Sequence, residues 1–292
     1  RVISRSYAKL ALRATAAHQP LIEAAGADAL IRRTGLRFIF HDEAALEEGI
    51  ADASRVSTEY GVPMRAMTSD EVAAAEPAFK TRLAGAVHWT SSWSCADPGG
   101  LTEAYAKLFA ARGGTIVLAD ATTLERKGEG WTLASPSGPL DAKEVVVSLG
   151  PWSALLLRRF GYDIPLFRKK GYHRHFIGGA TLNVPILDAE YSFCLSPMRA
   201  GLRVLTGAEI ARFDARPTPR QLARSEAVAA ELLDLGRPVE SEPWTGNRPC
   251  MPDMLPLVGR AHEPSRVRTT NDASSVAKLS TGSDQAHTST HA

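Results

Sequence analysis

Arg248 lies in the stretch Trp244-Thr-Gly-Asn-Arg-Pro-Cys-Met-Pro-Asp-Met-Leu-Pro-Leu-Val-Gly259, two residues after Gly246 and directly before Pro249. Prolines at 249, 252 and 256 stiffen the backbone that follows, because each ring fixes φ and removes a donor. A guanidinium on a rigid turn of this kind is suited to holding a carboxylate by two parallel hydrogen bonds. Val145-Val-Val-Ser-Leu-Gly-Pro-Trp152 reads as a buried strand that ends in a glycine, with an aromatic two residues later. Glycine there lets the backbone approach a ligand closely; an ordinary buried strand and its turn would look the same. In Lys170-Gly-Tyr-His-Arg-His-Phe176, Tyr172, Arg174 and Phe176 alternate with His173 and His175. Two histidines two residues apart can chelate a metal, but no third ligand of suitable spacing stands nearby, so no metal is assigned. His88-Trp-Thr-Ser-Ser-Trp-Ser-Cys-Ala-Asp-Pro98 gathers hydroxyls and aromatics ahead of a helix start, with Asp97 as N-cap and Pro98 at the first helical position. Cys95 has no basic neighbour in sequence to lower its pKa and is not read as a nucleophile. Gly-x-Ser-x-Gly does not occur.

The elements that must position these residues are legible in part. Residues 4–25 recur at helical spacing through Tyr7, Leu10, Ala14, Ala17, Leu21 and Ile22, and Gly26 can end that helix. Residues 35–41 read as a strand, and Asp42-Glu43 start a helix to about Tyr60. A helix over 69–76 stops before Pro77; strands are expected at 86–90 and 115–118, with a helix from Gly99 to about Arg112 between them. A small antiparallel excursion follows over 122–135, then a buried strand over 144–149. Beyond Pro165 the texture changes to short strands divided by Gly, Pro and Asn (170–176, 191–195, 202–206), and a helix over 219–233. Tyr191, Arg199 and Arg203 fall in that second sheet. Charged residues on an antiparallel sheet are usually solvated, so these are given no role. Residues 266–292 are polar and lack aromatics, and they are expected to be disordered.

Composition narrows the classes. Of 292 residues, 44% are hydrophobic and 23% charged, as in a globular protein large enough for two lobes. The net charge of +2, with both signs mixed, argues against a nucleic-acid surface. Cys95, Cys194 and Cys250 are far apart and odd in number, which points to a reducing compartment rather than a disulfide framework. No apolar run reaches transmembrane length. The expected location is the cytoplasm, with the inner face of the membrane as an alternative. The sequence does not begin with methionine, and further residues are expected upstream.

Gly-x-Arg-Pro-x-x-Pro-Asp-x-Leu-Pro-x-x-Gly over 246–259 resembles a segment of the FAD-dependent amine oxidoreductases, the group of D-amino-acid dehydrogenases, D-amino-acid oxidases, glycine oxidases and sarcosine oxidases. Asp97-Pro98 with its helix, Val145 to Trp152 and Lys170 to Phe176 resemble further parts of the same family, so the likeness runs from about Ser4 to Arg260. The D-amino-acid dehydrogenase-like branch resembles it most. The resemblance implies an α/β (α+β) fold in two lobes. One is an incomplete Rossmann-like FAD-binding lobe (1–34, 96–163 and 246–265); the other is a substrate lobe with an antiparallel sheet (35–95 and 164–245). It implies FAD as cofactor and oxidation of an amino acid, expected to be a D-amino acid, or of a related amine, to the imine. Oxygen or a quinone would then take the electrons. In residues, it implies that Arg248 holds the substrate carboxylate and that Tyr172 and His173 stand beside substrate and flavin. Gly150, Pro151, Trp152, Ser91, Ser94 and Gly246 would contact the cofactor.

Two parts of the family pattern do not occur here. The Gly-x-Gly-x-x-Gly turn that seats the FAD pyrophosphate on a helix N-terminus is absent from the sequence. Where the family has a glycine- and histidine-rich turn and a last flavin-facing helix, this chain has the polar stretch from Arg266. The chain is therefore expected to be a fragment that holds FAD weakly. A truncated remnant that binds no FAD is the alternative, and a glycine or sarcosine oxidase is the nearer one.

Overall fold

The periodic apolar residues near the start form α1 (Val2–Ala24), and a 3-10 turn at Asp28–Leu30 leads to β1 (Ile31–Arg32) and β2 (Leu36–Phe40). Next come α2 (Glu43–Tyr60), β3 (Met64–Thr68), α3 (Ser69–Ala75), β4 (Gly85–Trp89), β5 (Ser94–Cys95) and α4 (Pro98–Ala111). The chain continues through β6 (Glu125–Lys127), β7 (Gly130–Ser135), β8 (Gly138–Ala142) and α5 (Ser153–Arg158). The last part holds β9 (Phe167–Gly178), β10 (Ile186–Asp188), β11 (Phe193–Met198), β12 (Gly201–Thr206), β13 (Glu209–Ile210), α6 (Arg220–Leu232), β14 (Gly236–Pro238) and β15 (Trp244–Cys250). This computed structural model describes residues 2–212 and 214–261, so the polar stretch from 266 lies outside the described residues.

Local chemistry sets the helix ends. Asp42 caps α2 by accepting from the Ala45 amide at 2.8 Å, and Gly61 closes it in the left-handed region at φ 69°. Thr68 and Glu71 form a reciprocal capping box on α3. Asp97 caps α4 through the Gly100 amide at 2.9 Å, with Pro98 at the first position as expected. α1 forms as expected, yet of its apolar face Ile22 is buried whereas Tyr7, Leu10 and Leu21 are exposed.

The chain divides into two compact units. The larger comprises Ser4–Thr115 and Lys170–Asn247; the smaller comprises Arg1–Ile3, Ile116–Lys169 and Arg248–Ala292. The larger unit is built on a sheet of order β13-β9-β12-β11-β10-β2-β4-β3, with β14 and β15 also paired to β9. Its pairings are antiparallel except between β10 and β2, so the expected antiparallel sheet is present within a mixed α/β fold. One face packs against α3 and α6 around Ile39, Met67, Tyr172, Ile186, Leu195, Val204, Leu222 and Leu232. On the opposite face α2 covers one end, where Leu46 and Ala53 meet Phe40 and Val87.

Within the smaller unit, β6, β7 and β8 form the expected antiparallel excursion, one strand longer than foreseen. Trp131 packs edge-on against Phe160 at 5.3 Å between centroids. The expected strands over 115–118 and 144–149 do not form. Among the described residues no strand pairs with either, and Val146 is 83% exposed and Leu118 89% exposed. A strand persists through neighbours that take up its N–H and C=O groups. Without such neighbours a valine run stays extended and unburied. No described helix is long and apolar enough to cross a membrane.

Candidate functional site

Register decides which side chains share a face. Phe38 pairs with Val87 on β4 and with Leu187 on β10; Leu187 pairs with Cys194 on β11, Cys194 with Leu205 on β12, and Leu205 with His173 on β9. One row of side chains thus crosses the sheet from the α2-covered end to β9. The neighbouring row, Ser196–Arg203–His175, lies on the same face. That face is apolar under α2 and turns polar and half-buried toward β9. The Cys194 thiol on it is pushed up to about 11 by burial, so it is no thiolate.

β9 separates its residues as the alternation predicts. Tyr172 points into the α6-side core, is only 2% exposed, and donates its hydroxyl to Glu209 at 2.5 Å. The same oxygen accepts from the Thr218 amide at 3.0 Å. Tyr172, expected beside the ligand, is therefore placed among the core contacts that hold β9. His173 lies on the other face, its ring stacked on Trp244 at 4.5 Å and 20°. Gly246 sits under that indole: an added Cβ would meet the Trp244 ring at 2.1 Å, so glycine here makes room for tryptophan. The oxygen Oδ1 of Asn247 next to it is buried without a hydrogen bond among the described residues.

His175 is buried and fully engaged. Its Nδ1 is 2.6 Å from Glu240 Oε1, and its Nε2 accepts from Arg203 Nε at 2.9 Å. A guanidinium only donates, so the ring must be the neutral tautomer with its proton on Nδ1. Glu240 also accepts from the His175 amide at 2.8 Å. Both ring nitrogens are thus occupied, which leaves His175 no lone pair for a metal. No group of three metal-ligating side chains occurs among the described residues. Burial pulls the Arg203 guanidinium below its ordinary value against the opposing pull of Glu240, Asp97 and Cys95. Its place on an antiparallel strand predicts a solvated Arg203, and the structure tethers it instead. The signal the sequence lacked was Glu240, 65 residues from His175 and joined to it only by the fold.

The other expected residues fall as follows. Ser91 is exposed in the turn after β4, and Ser94 lies in β5, paired with Arg32. Both belong to the larger unit with His173, Tyr172 and Gly246. In the smaller unit, Gly150–Trp152 forms a 3-10 turn in which Pro151 is buried and its carbonyl accepts from Arg168. Gly150 adopts φ 53°, and an added Cβ there would meet nothing within 4 Å. Arg248 belongs to the same unit. It is exposed and has no ion-pair partner among the described residues. It lies within the strand β15 and not on the rigid turn expected for it, because its segment pairs with β9; a tight turn follows, with the Met254 amide donating to the Met251 carbonyl at 2.9 Å and Asp253 accepting from the Leu255 amide at 3.0 Å.

Comparison with known proteins places the chain. Residues 2–283 match the family described as FAD dependent oxidoreductase. A D-amino-acid oxidase from Bradyrhizobium diazoefficiens is 28% identical over 253 residues, which is 84% of this chain and 59% of the relative. A D-amino acid dehydrogenase from Cereibacter sphaeroides is 31% identical over 251 residues, 78% of this chain and 54% of the relative. The chain thus spans little more than half the length of these two proteins. Its fold is shared with glycine oxidase from Geobacillus kaustophilus, at a TM-score of 0.70 and 21% identity, covering 89% of this chain and 70% of that one. With the matched span covering nearly the whole sequence, the chain belongs to the FAD-dependent oxidoreductase family.

Proposed function

We propose that this chain orients an amino acid, a D-amino acid by preference, for oxidation to its imine in an FAD-dependent reaction. The observation that carries the reading is Arg248: an exposed guanidinium with no ion-pair partner among the described residues, on a strand followed by a proline-braced turn. Such a group has its donors free for a carboxylate. The identities to D-amino-acid oxidases and dehydrogenases support the substrate class.

The turn at Gly150 supports placing the flavin's ring side there. Gly150 leaves open space where a side chain would stand, so a flat ring can approach its backbone. Gly150, Pro151 and Trp152 would line the cofactor, with Ser91 and Ser94 as further contacts; Gly246 serves the Trp244 ring instead. When bound, FAD supplies the acceptor for the hydride that leaves the substrate Cα. Arg248 holds the carboxylate, which fixes the direction of the Cα–H bond and contributes mainly proximity. His173, steadied by Trp244, offers a polar ring on the open sheet face. Tyr172 supports β9 from behind through Glu209.

A dye-linked oxidation assay over D-amino acids, with a flavin spectrum of the same sample, tests this. Arg248→Ala should raise KM for amino acids strongly, by the equivalent of roughly 1.5–3 kcal/mol for hydrogen bonds to a charged group. Arg248→Lys should recover part of that, since the two-pronged grip is lost. An unchanged KM in the alanine variant would assign the carboxylate to another cation.

A further inference from the structure

The turn Gly150–Trp152 begins on a glycine at φ 53°, a conformation that glycine enters and leaves with little steric cost. The freedom that lets a flat ring approach this backbone therefore also lets the turn rearrange, and its shape must be imposed by neighbours. Two of its carbonyls are satisfied within the turn. Leu149 accepts from the Trp152 amide at 3.1 Å, and Gly150 accepts from the Ser153 amide. The carbonyl of buried Pro151 is taken from outside. Arg168, the second residue of β9, donates to it through Nε at 3.3 Å and through Nη2 at 3.1 Å. Arg168 and the turn belong to the same compact unit. Two donors of one planar guanidinium on one oxygen fix the direction of that carbonyl as well as its distance. Because the peptide is planar, the clamp also orients the Pro151–Trp152 bond and the exit of the chain toward the exposed Trp152 side chain.

We infer that Arg168 is a positioning residue, which clamps the Pro151 carbonyl and so holds the Gly150–Trp152 turn in the shape that receives the flavin ring. The inference rests on the reading that this turn lines FAD. Arg168 acts through the peptide plane and not by a contact of its own with the cofactor. A turn fixed beforehand has little ordering cost left when the ligand arrives.

Hydrogen exchange on the chain without FAD, and FAD titration followed by flavin fluorescence, test the two halves of this claim. In Arg168→Gln the Trp152 and Ser153 amides should exchange about tenfold faster than in wild type, and FAD should bind about tenfold more weakly, as loss of a charged hydrogen bond implies. At saturating FAD the visible flavin band should lose fine structure while the thermal midpoint of the FAD-free chain stays near that of wild type, a combination that a general loss of stability does not produce. Arg168→Lys keeps the charge and one donor, and should recover part of both losses. It carries the test if Arg168→Gln does not fold: intermediate exchange with intermediate FAD affinity supports the clamp, and a wild-type value of either overturns it. Weakened FAD binding with unchanged exchange at Trp152 and Ser153 overturns it too, because Arg168 would then touch the cofactor itself. Faster exchange with FAD affinity and flavin band unchanged overturns it from the other side. Failure of the parent reading looks different: the wild type takes up no FAD although the turn still loosens in the variant, and the role of Arg168 falls with that reading.

Discussion

At the scale of single residues, Tyr172 and His173 show how adjacent positions acquire different work. One is a core hydroxyl bound to Glu209; the other is a ring on the open face stacked with Trp244. Hydrogen bonds from Tyr172 and Thr218 hold the Glu209 carboxyl below its ordinary 4.5. A carboxylate lowered on folding stabilises above its unfolded value, and that contribution is lost as pH falls through the folded value. Tyr172→Phe should cost about 1 kcal/mol at neutral pH. The gap from wild type should shrink as the pH drops below the usual glutamate range, with KM for amino acids unchanged. Thermal unfolding from neutral to acid pH checks this. A gap of constant size would mean that the hydroxyl serves Thr218 and not Glu209. Elsewhere the larger unit buries a full ion pair, Arg37–Glu76 at 2.5 Å, in which burial nevertheless raises the Glu76 carboxyl because desolvation outweighs its hydrogen bonds from Asn183 and Val184 and its pairing with Arg37.

At the scale of elements, helices formed where the sequence carries its own start and stop signals, as Asp42, Thr68-Glu71 and Asp97 show. Strands depended on partners. Val145-Val-Val147 has the composition of a buried parallel strand, yet no described strand lies beside it. Val146→Asp should therefore change the stability of this chain by no more than about 0.5 kcal/mol, the usual range for an exposed site. Chemical denaturation would measure it. A loss of several kcal/mol would show that the valine is covered in solution, and the strand expected over 144–149 would be restored.

At the scale of the whole molecule, protection should follow the division of the chain. The paired strands β11 and β12, with Leu195 and Val204 in the main core, should exchange their amide hydrogens through the largest opening. Residues 144–149, with neither ladder nor burial, should exchange fastest among the segments read as strands from sequence. Hydrogen exchange followed by mass spectrometry resolves these segments. Equal protection of 144–149 and β11–β12 would contradict the unpaired state.

By itself the sequence determined the local pieces: the capped helices, the hairpins, the alternation of β9 and the proline-stiffened backbone after Arg248. Each rests on forces that act within a few residues, such as a side chain meeting a nearby amide or a ring fixing φ. The motifs from Asp97 to Gly259 also carried the family, because they are local too. Only the tertiary structure decided which side of an alternating strand is covered. Alternation marks two faces but cannot say which one meets a helix. So Tyr172 went to the core, and Arg203 proved to be tethered where a solvated charge was expected. The contacts responsible join His175 to Arg203, 28 residues on, and to Glu240, 65 residues on. Such contacts exist only once register has been set across the sheet. For the same reason the valines before Gly150 could not be read correctly from composition, since burial belongs to a strand's neighbours as much as to its own residues.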